Sequence, residues 1–391
     1  MSQSSTATRA AHDRLRRHPI LFASIAVSHT LLCAGIVFGW ASLLPLLRDE
    51  GIHLSSADFT RIFTHGAVGN YLSSLPFGLI LDRAGPKRLG ILASLFFACG
   101  VWLCIMAVPE EDTRPDPSRT WCLDLGFTLL GFSGPAIQLP VLHLARLFPG
   151  DAVEGGSWGA ALFMSAQAGA FDGGTIIFYV FSLLTSMIPG GIGLKAMFRF
   201  YLIVPAYTFA TSFFFWPNEI LPDSSDADGN ESVASTYCAK SPGRRGSFTS
   251  VGSPYISPKT LRLEERQRHN PSAAQKSSLI DEPLSVVLSR PPFYCLGAWV
   301  AIHILKLNFV VATINDELDQ QVEVGALPDS QVDTLINLFG AMLPFGFVVL
   351  PIVAYLLNRS VILCFQVATT VGVIYGTVLT FFPNQCKYKK A

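Results

Sequence analysis

Gly78 to Arg88 reads Gly-Leu-Ile-Leu-Asp-Arg-Ala-Gly-Pro-Lys-Arg, and it lies between two long uncharged runs. Ile62 to Leu81 contains no Asp, Glu, Lys or Arg, and neither does Leu89 to Val108. Each run is about twenty residues, enough for a helix to cross a ~30 Å hydrocarbon core. Asp82, Arg83, Lys87 and Arg88 therefore sit in a tight turn of about six or seven residues at a membrane surface. One span enters this turn and another leaves it.

The composition outside this stretch agrees. The 391 residues are 50% hydrophobic and 14% charged, with mean hydropathy +0.42. Soluble domains carry about 25% charged residues, so the chain reads as an all-α, multi-pass membrane protein. Its solvent and first partner is the lipid bilayer. Net charge is zero and no basic stripe is present, which argues against a nucleic-acid partner. Of eight cysteines, Cys33, Cys99, Cys104, Cys295 and Cys364 lie inside apolar runs and none forms a Cys-x-x-Cys pair, so neither metal nor disulfide use is expected. The first apolar run is too long for a signal peptide and should remain as a helix.

The apolar runs give nine candidate spans: Ile20–Leu47, Ile62–Leu81, Leu89–Val108, Leu125–Leu142, Trp158–Thr185, Phe200–Trp216, Pro292–Ile314, Thr334–Leu357 and Ser360–Phe382. Pro217 to Arg290 is of another kind, rich in Ser, Pro, Gly and charge, and is expected to be disordered. The predicted organisation is a tail (1–19), a six-helix half (20–216), a loop (217–290), a three-helix segment (291–383) and a short tail (384–391). Lys and Arg set the orientation. Arg14, Arg16 and Arg17 precede the first span, and nine Lys or Arg lie in the central loop. The third-to-fourth connection (Glu110, Glu111, Asp112, Asp116) and the seventh-to-eighth (Asp316, Glu317, Asp319, Glu323, Asp329) are acidic. A cytoplasmic N-terminus and central loop satisfy all of these. The basic end, Lys387-Tyr388-Lys389-Lys390, runs against the outside location that nine spans give it.

The turn resembles the signature loop between the second and third helices of the major facilitator superfamily. Gly78, Asp82, Arg83, Gly85, Lys87 and Arg88 fit the pattern Gly-x-x-x-Asp-Arg/Lys-x-Gly-Arg-Lys/Arg, with Pro86 in place of a usual Arg. Gly35-Ile-Val-Phe-Gly-Trp40, Leu75 to Pro86, His143-Leu-Ala-Arg-Leu-Phe-Pro149 and Gly169-Ala-Phe-Asp-Gly-Gly174 resemble the solute carrier family 43 branch and its fungal relatives. The resemblance implies a major facilitator-like bundle that alternates between outward- and inward-open states and carries large neutral amino acids or nucleobases. It implies twelve helices, six after the central loop; with three here, the expectation is a C-terminally truncated sequence. The resemblance also implies that Asp82 is held at the N-terminal end of an eleventh helix, as a gating latch, which this sequence does not supply. Leu81-Asp82-Arg83 and Leu357-Asn358-Arg359 form a faint internal repeat consistent with two related halves.

Five residues are candidates for a solute cavity. Asp172 lies near the middle of the fifth span with about fourteen uncharged residues on either side. A central Asp costs roughly 2.5–3.5 kcal/mol on insertion scales, so it faces either a cavity or a structural partner. Ser165, Gly169 and Tyr179 share its helix face. Lys306 lies about two-thirds through the seventh span, with His303 and Trp299 on its face, and either lines the cavity or snorkels to the surface. His29 and Gln138 sit where the resemblance puts the cavity. His29 alternatively bonds between helices. Gln138, between Pro135 and Pro140, alternatively marks a kinked packing helix. Asn70, Ser73 and Ser74 read as helix glue, and Gly35 with Gly39 as close packing. Ser247, after Arg244-Arg245-Gly246, fits a kinase contact, as do Ser253-Pro254 and Ser257-Pro258.

No His-Glu-x-x-His, P-loop or Gly-x-Ser-x-Gly motif occurs, so an enzyme, a metal site and a bound cofactor are not expected. The reading is a secondary transporter or uniporter of a small organic solute, with a proton or another ion as candidate coupling partner. The alternative is a non-transporting or truncated membrane protein acting as receptor or regulator. Plasma membrane and vacuole-like membrane both remain open.

Overall fold

The computed structural model describes residues 12–109, 117–148, 158–188, 192–220, 286, 289–325 and 327–388. Among them every regular element is a helix, and the nine apolar segments all fall on helices. Among the described residues, five helices are long and apolar enough to cross a membrane, or up to seven if each of two bent pairs counts as one span. The chain is an integral, multi-pass membrane helix bundle. It divides into two compact units, Met1–Asp228 with Lys306–Ala391, and Gly229–Leu305. The first of these units holds the six-helix half together with the eighth and ninth spans.

The second and third spans are one helical stretch, Ser56–Ala107, that departs from helical geometry only at Gly85 (φ 81°, ψ 169°). The chain folds back there, because the rings of Phe77 and Phe96 lie 6.1 Å apart. Nineteen residues of straight helix would separate them by roughly 28 Å. The expected loop of several residues is thus a single-residue hinge. Its φ lies where only glycine is unstrained, and an added Cβ would overlap the carbonyl oxygen of Asn218. Both arms then pack on the fourth span (Pro117–Leu142): Gly66 and Gly69 meet Phe127 and Thr128, and Gly100 meets Gly126 and Leu130.

Two further spans are broken. The first runs Pro19–Cys33, a 3₁₀ turn Ile36–Gly39, then Trp40–Asp49, with a 42° bend. The fifth runs Trp158–Gly173 and then Ile176–Met187, with a 43° bend. The breaks face each other. A Cβ on Gly35 would overlap the Phe171 carbonyl, and one on Gly174 would come 2.9 Å from the Leu31 oxygen. Backbones approach this closely because lipid offers apolar side chains as good an environment as a neighbouring helix does; association must come from close dispersion contact and hydrogen bonds. The sixth span is Leu194–Tyr201 with Ile203–Phe215. Its start is capped by the Glu50 carboxylate, which accepts the Leu194 N–H.

The seventh span lies on a helix longer than its apolar run, Pro291–Glu323, so Asp316, Glu317, Asp319 and Glu323 are on its last turns rather than in a loop. The eighth is Val332–Met342, a 3₁₀ turn Leu343–Phe345 with Pro344, and Gly346–Arg359. The ninth is Val361–Tyr388. The centre of the six-helix half is aromatic: Trp40, Phe63, Phe97, Phe127, Phe178 and Phe198 are all buried.

Candidate functional site

Asp172 is the last residue but one before the break in the fifth span. Its backbone carbonyl accepts both the N–H (3.2 Å) and the hydroxyl (2.7 Å) of Thr175, which closes the helix end and leaves the carboxylate to other uses. The carboxylate is half-buried. It forms no hydrogen bond or ion pair among the described residues. One oxygen lies against Gly346, where a Cβ would come within 2.6 Å of it. Gly346 opens the second half of the eighth span, just after the turn at Pro344. Pro344 lacks an N–H, so the ladder is interrupted there. Three broken spans, the first, fifth and eighth, therefore meet around one membrane carboxylate. Gly340, one turn earlier in the eighth span, packs on Ser42 and Tyr179. Helical spacing places Tyr179 on the Asp172 face, whereas nothing in the sequence marks Ser42. Interrupted helices at mid-membrane supply irregular backbone that is tolerable only where protein or a cavity covers it.

His29 and Lys306 make their contacts on other elements. His29 is buried; its Nε2 lies 2.6 Å from Thr211 Oγ1, and its ring packs edge-on against Tyr207 (5.3 Å) and Trp216 (5.6 Å). It bonds the first span to the sixth. Lys306 donates to the Gly372 carbonyl at 2.7 Å and lies 4.7 Å over the Tyr375 ring, so it joins the seventh span to the ninth rather than pairing with Asp172. His303, on the second unit, keeps its Nδ1 2.9 Å from the Trp299 carbonyl and its ring 4.2 Å from the indole. Gln138 is half-buried between the helix-internal Pro135 and Pro140. Its amide makes no hydrogen bond among the described residues. Asn70 bridges three spans, donating to the carbonyls of Ala34 (3.2 Å) and Gly131 (3.3 Å).

The turn residues have a different setting. Gly78 has open space where a side chain would go, so packing does not demand a glycine there. Asp82, Arg83 and Arg88 are exposed. Asp82 has no hydrogen-bond or ion-pair partner among the described residues. Gly85 and Lys87 dock on the end of the sixth span and the segment after it: the Lys87 N–H donates to the Pro217 carbonyl at 3.1 Å, and its ammonium lies 4.5 Å over Phe213. Ser247, Ser253 and Ser257 lie outside the described residues.

The end of the bundle away from the Gly85 turn carries contacts that sequence reasoning missed. Arg48, closing the first span, reaches Asp319 (2.9 Å) and Asp316 (3.6 Å) on the seventh. Ser56 donates to Asp316, and buried Asn315 donates to the Ala41 carbonyl at 3.3 Å. Asn337 of the eighth span accepts from Ser182 of the fifth at 3.5 Å. The signal was present as opposite charges at two span ends, but nothing in the sequence said those ends were neighbours.

No protein-family profile matches the chain. It is similar to Protein FMP42 of Saccharomyces cerevisiae, 24% identical over 402 residues, covering 90% of this chain and 74% of that protein. It is also similar to the large neutral amino acids transporter small subunit 3 of mouse (22% over 391 residues, 89% of this chain and 66% of that one) and of human (21% over 418 residues, 94% and 72%).

Proposed function

We propose that this protein is a solute transporter of the solute carrier 43 type, moving a neutral, amino acid-like or nucleobase-like molecule by alternating access. The observation that carries the reading is the meeting of three interrupted spans at Asp172. In transporters built from repeats, solute sites form where helices are discontinuous near mid-membrane. The similarity to two proteins named as large neutral amino acid transporters supports the same reading.

In this account Asp172 faces the solute and accepts a donor from it, an amino group or a ring N–H, with one carboxylate oxygen seated against the Gly346 backbone. Gln138 is a second candidate contact. His29 and Lys306 hold helices together, so the solute's own carboxylate, where it has one, is met by something other than Lys306. The positive-inside bias makes the Gly85 turn cytoplasmic. In this reading the Arg48 contacts close the outer side, as an inward-facing state requires. A latch role for Asp82 in the opposite state needs a helix-end partner that is not among the described residues; in a form that supplies that partner, Asp82→Asn should shift the population between states rather than abolish binding.

The test is reconstitution in vesicles with uptake of labelled leucine, phenylalanine, adenine and uracil. Saturable uptake of one of these, reduced at least tenfold in Asp172→Asn with normal folding, supports the proposal. Stable, folded protein with no flux of any solute class would sink it and favour a receptor or regulator.

A further inference from the structure

A cavity of about 310 Å³ lies well away from Asp172, among the third, fourth and sixth spans at the end opposite the Gly85 turn. Three cations line it, Arg119, Lys195 and Arg199. The remaining wall is apolar and comes from the end of the third span, including Trp102, Ile105 and Met106. Trp102 and Met106 are more than half exposed on the outer surface of the bundle, whereas Ile105 is buried beneath them. One Arg119 guanidinium nitrogen, Nη1, is shielded from solvent yet has no hydrogen-bond partner among the described residues. An unpaired, shielded donor on a cation is costly unless something outside the chain accepts from it.

These features differ from those of a solute path. Two of its lining side chains, the Trp102 indole and the Met106 thioether, lie on the exposed surface at the end of an apolar span, and tryptophan is enriched at the membrane–water boundary. Several positive groups beside an apolar wall match one chemistry, a phosphate ester with hydrocarbon attached. Arginine suits it because the planar guanidinium donates in pairs to phosphate oxygens. Basic pockets between membrane helices bind lipid headgroups on the cytoplasmic face, and the same pairing of cation and phosphate is available to headgroups of the other leaflet.

We infer that the cavity is a binding site for a phosphate group, supplied by the headgroup of a bilayer phospholipid, with Arg119 and Arg199 as its principal donors and Trp102 and Met106 against the acyl chain. The sequence supplies a rival in Glu110, Glu111 and Asp112, which come directly after the third span.

The test is native mass spectrometry of the full chain in detergent, titrated with phosphatidylglycerol in one arm and inorganic phosphate in the other. The expected result is one retained lipid whose affinity falls roughly a hundredfold or more in Arg119→Gln/Arg199→Gln, the loss expected for two charge-assisted bonds. Arg119→Lys/Arg199→Lys, which keeps the charge, should restore part of it and guards against a folding artefact. Arg199→Gln alone alters an exposed side chain, so it serves if the double variant does not fold. Binding of inorganic phosphate at the same residues, without lipid, assigns the site to a soluble phosphate instead. Binding of neither, or lipid binding that emerges only after Glu110, Glu111 and Asp112 are neutralised, overturns the inference.

Discussion

Gly85 shows how much one residue decides. Its φ of 81° and the Asn218 carbonyl behind it leave no place for a Cβ. Gly85→Ala should therefore cost about 1–3 kcal/mol, the scale of a strained backbone residue, read as a lower melting temperature in detergent. Unchanged stability would mean the hinge is loose. The sequence pointed to this glycine through its place in the charged turn, although the turn proved tighter than its charges implied. His29 is ambiguous in the sequence, because a lone histidine in an apolar run carries no sign of what faces it. The structure answers with Thr211, 2.6 Å away. Thr211→Val should lower stability by about 1–3 kcal/mol through an unsatisfied buried imidazole, with the KM for transport unchanged. A shifted KM with full stability would return His29 to the solute site. Asp172 is legible as a functional or structural candidate because a central charge is expensive. Its neighbour Gly346 is not, because that contact joins residues far apart in sequence.

Span existence is plain in the apolar runs, but their breaks are not. Uniform hydrophobicity hides a helix end, and Gly35, Gly39 and Gly174 look alike whether they serve packing or interruption. Only the close approach of two backbones distinguishes the roles. Gly174→Leu should therefore wedge the first and fifth spans apart and abolish flux while the remaining spans still insert, which a protease-protection map would show. Retained flux would mean that this approach is dispensable. The charged end of the seventh helix reads as a loop because acids leave the membrane, yet a helix can extend past it. Arg48 meets Asp316 and Asp319 there with about a third to a half of each side chain exposed. Such pairs contribute roughly 0.2–1 kcal/mol. Arg48→Ala should accordingly raise the labelling rate of a cysteine placed at Ser42, beside Gly340, by about 1.4- to 5-fold. A change far outside that range would show that Arg48 does more than tip a balance.

For the whole molecule, composition and the spacing of apolar runs are enough to place it in a membrane as an all-helical bundle. They are not enough to say which residues meet, because helix order fixes connectivity and leaves rotation about each axis open. That is why five candidate cavity residues separate into one at the junction of broken spans, one half-buried between prolines, and three engaged with their own neighbours. The similarity to two proteins named as large neutral amino acid transporters supports solute transport in general, and the junction at Asp172 is where the proposed solute site is to be tested. The most direct test is uptake by vesicles holding purified protein, comparing the native chain with Asp172→Asn across neutral amino acids and nucleobases. The account predicts saturable flux of one class, lowered at least tenfold by the substitution while the melting temperature and the Arg48 contacts persist. Flux that survives Asp172→Asn intact, or a folded native protein that moves none of these solutes, would contradict it.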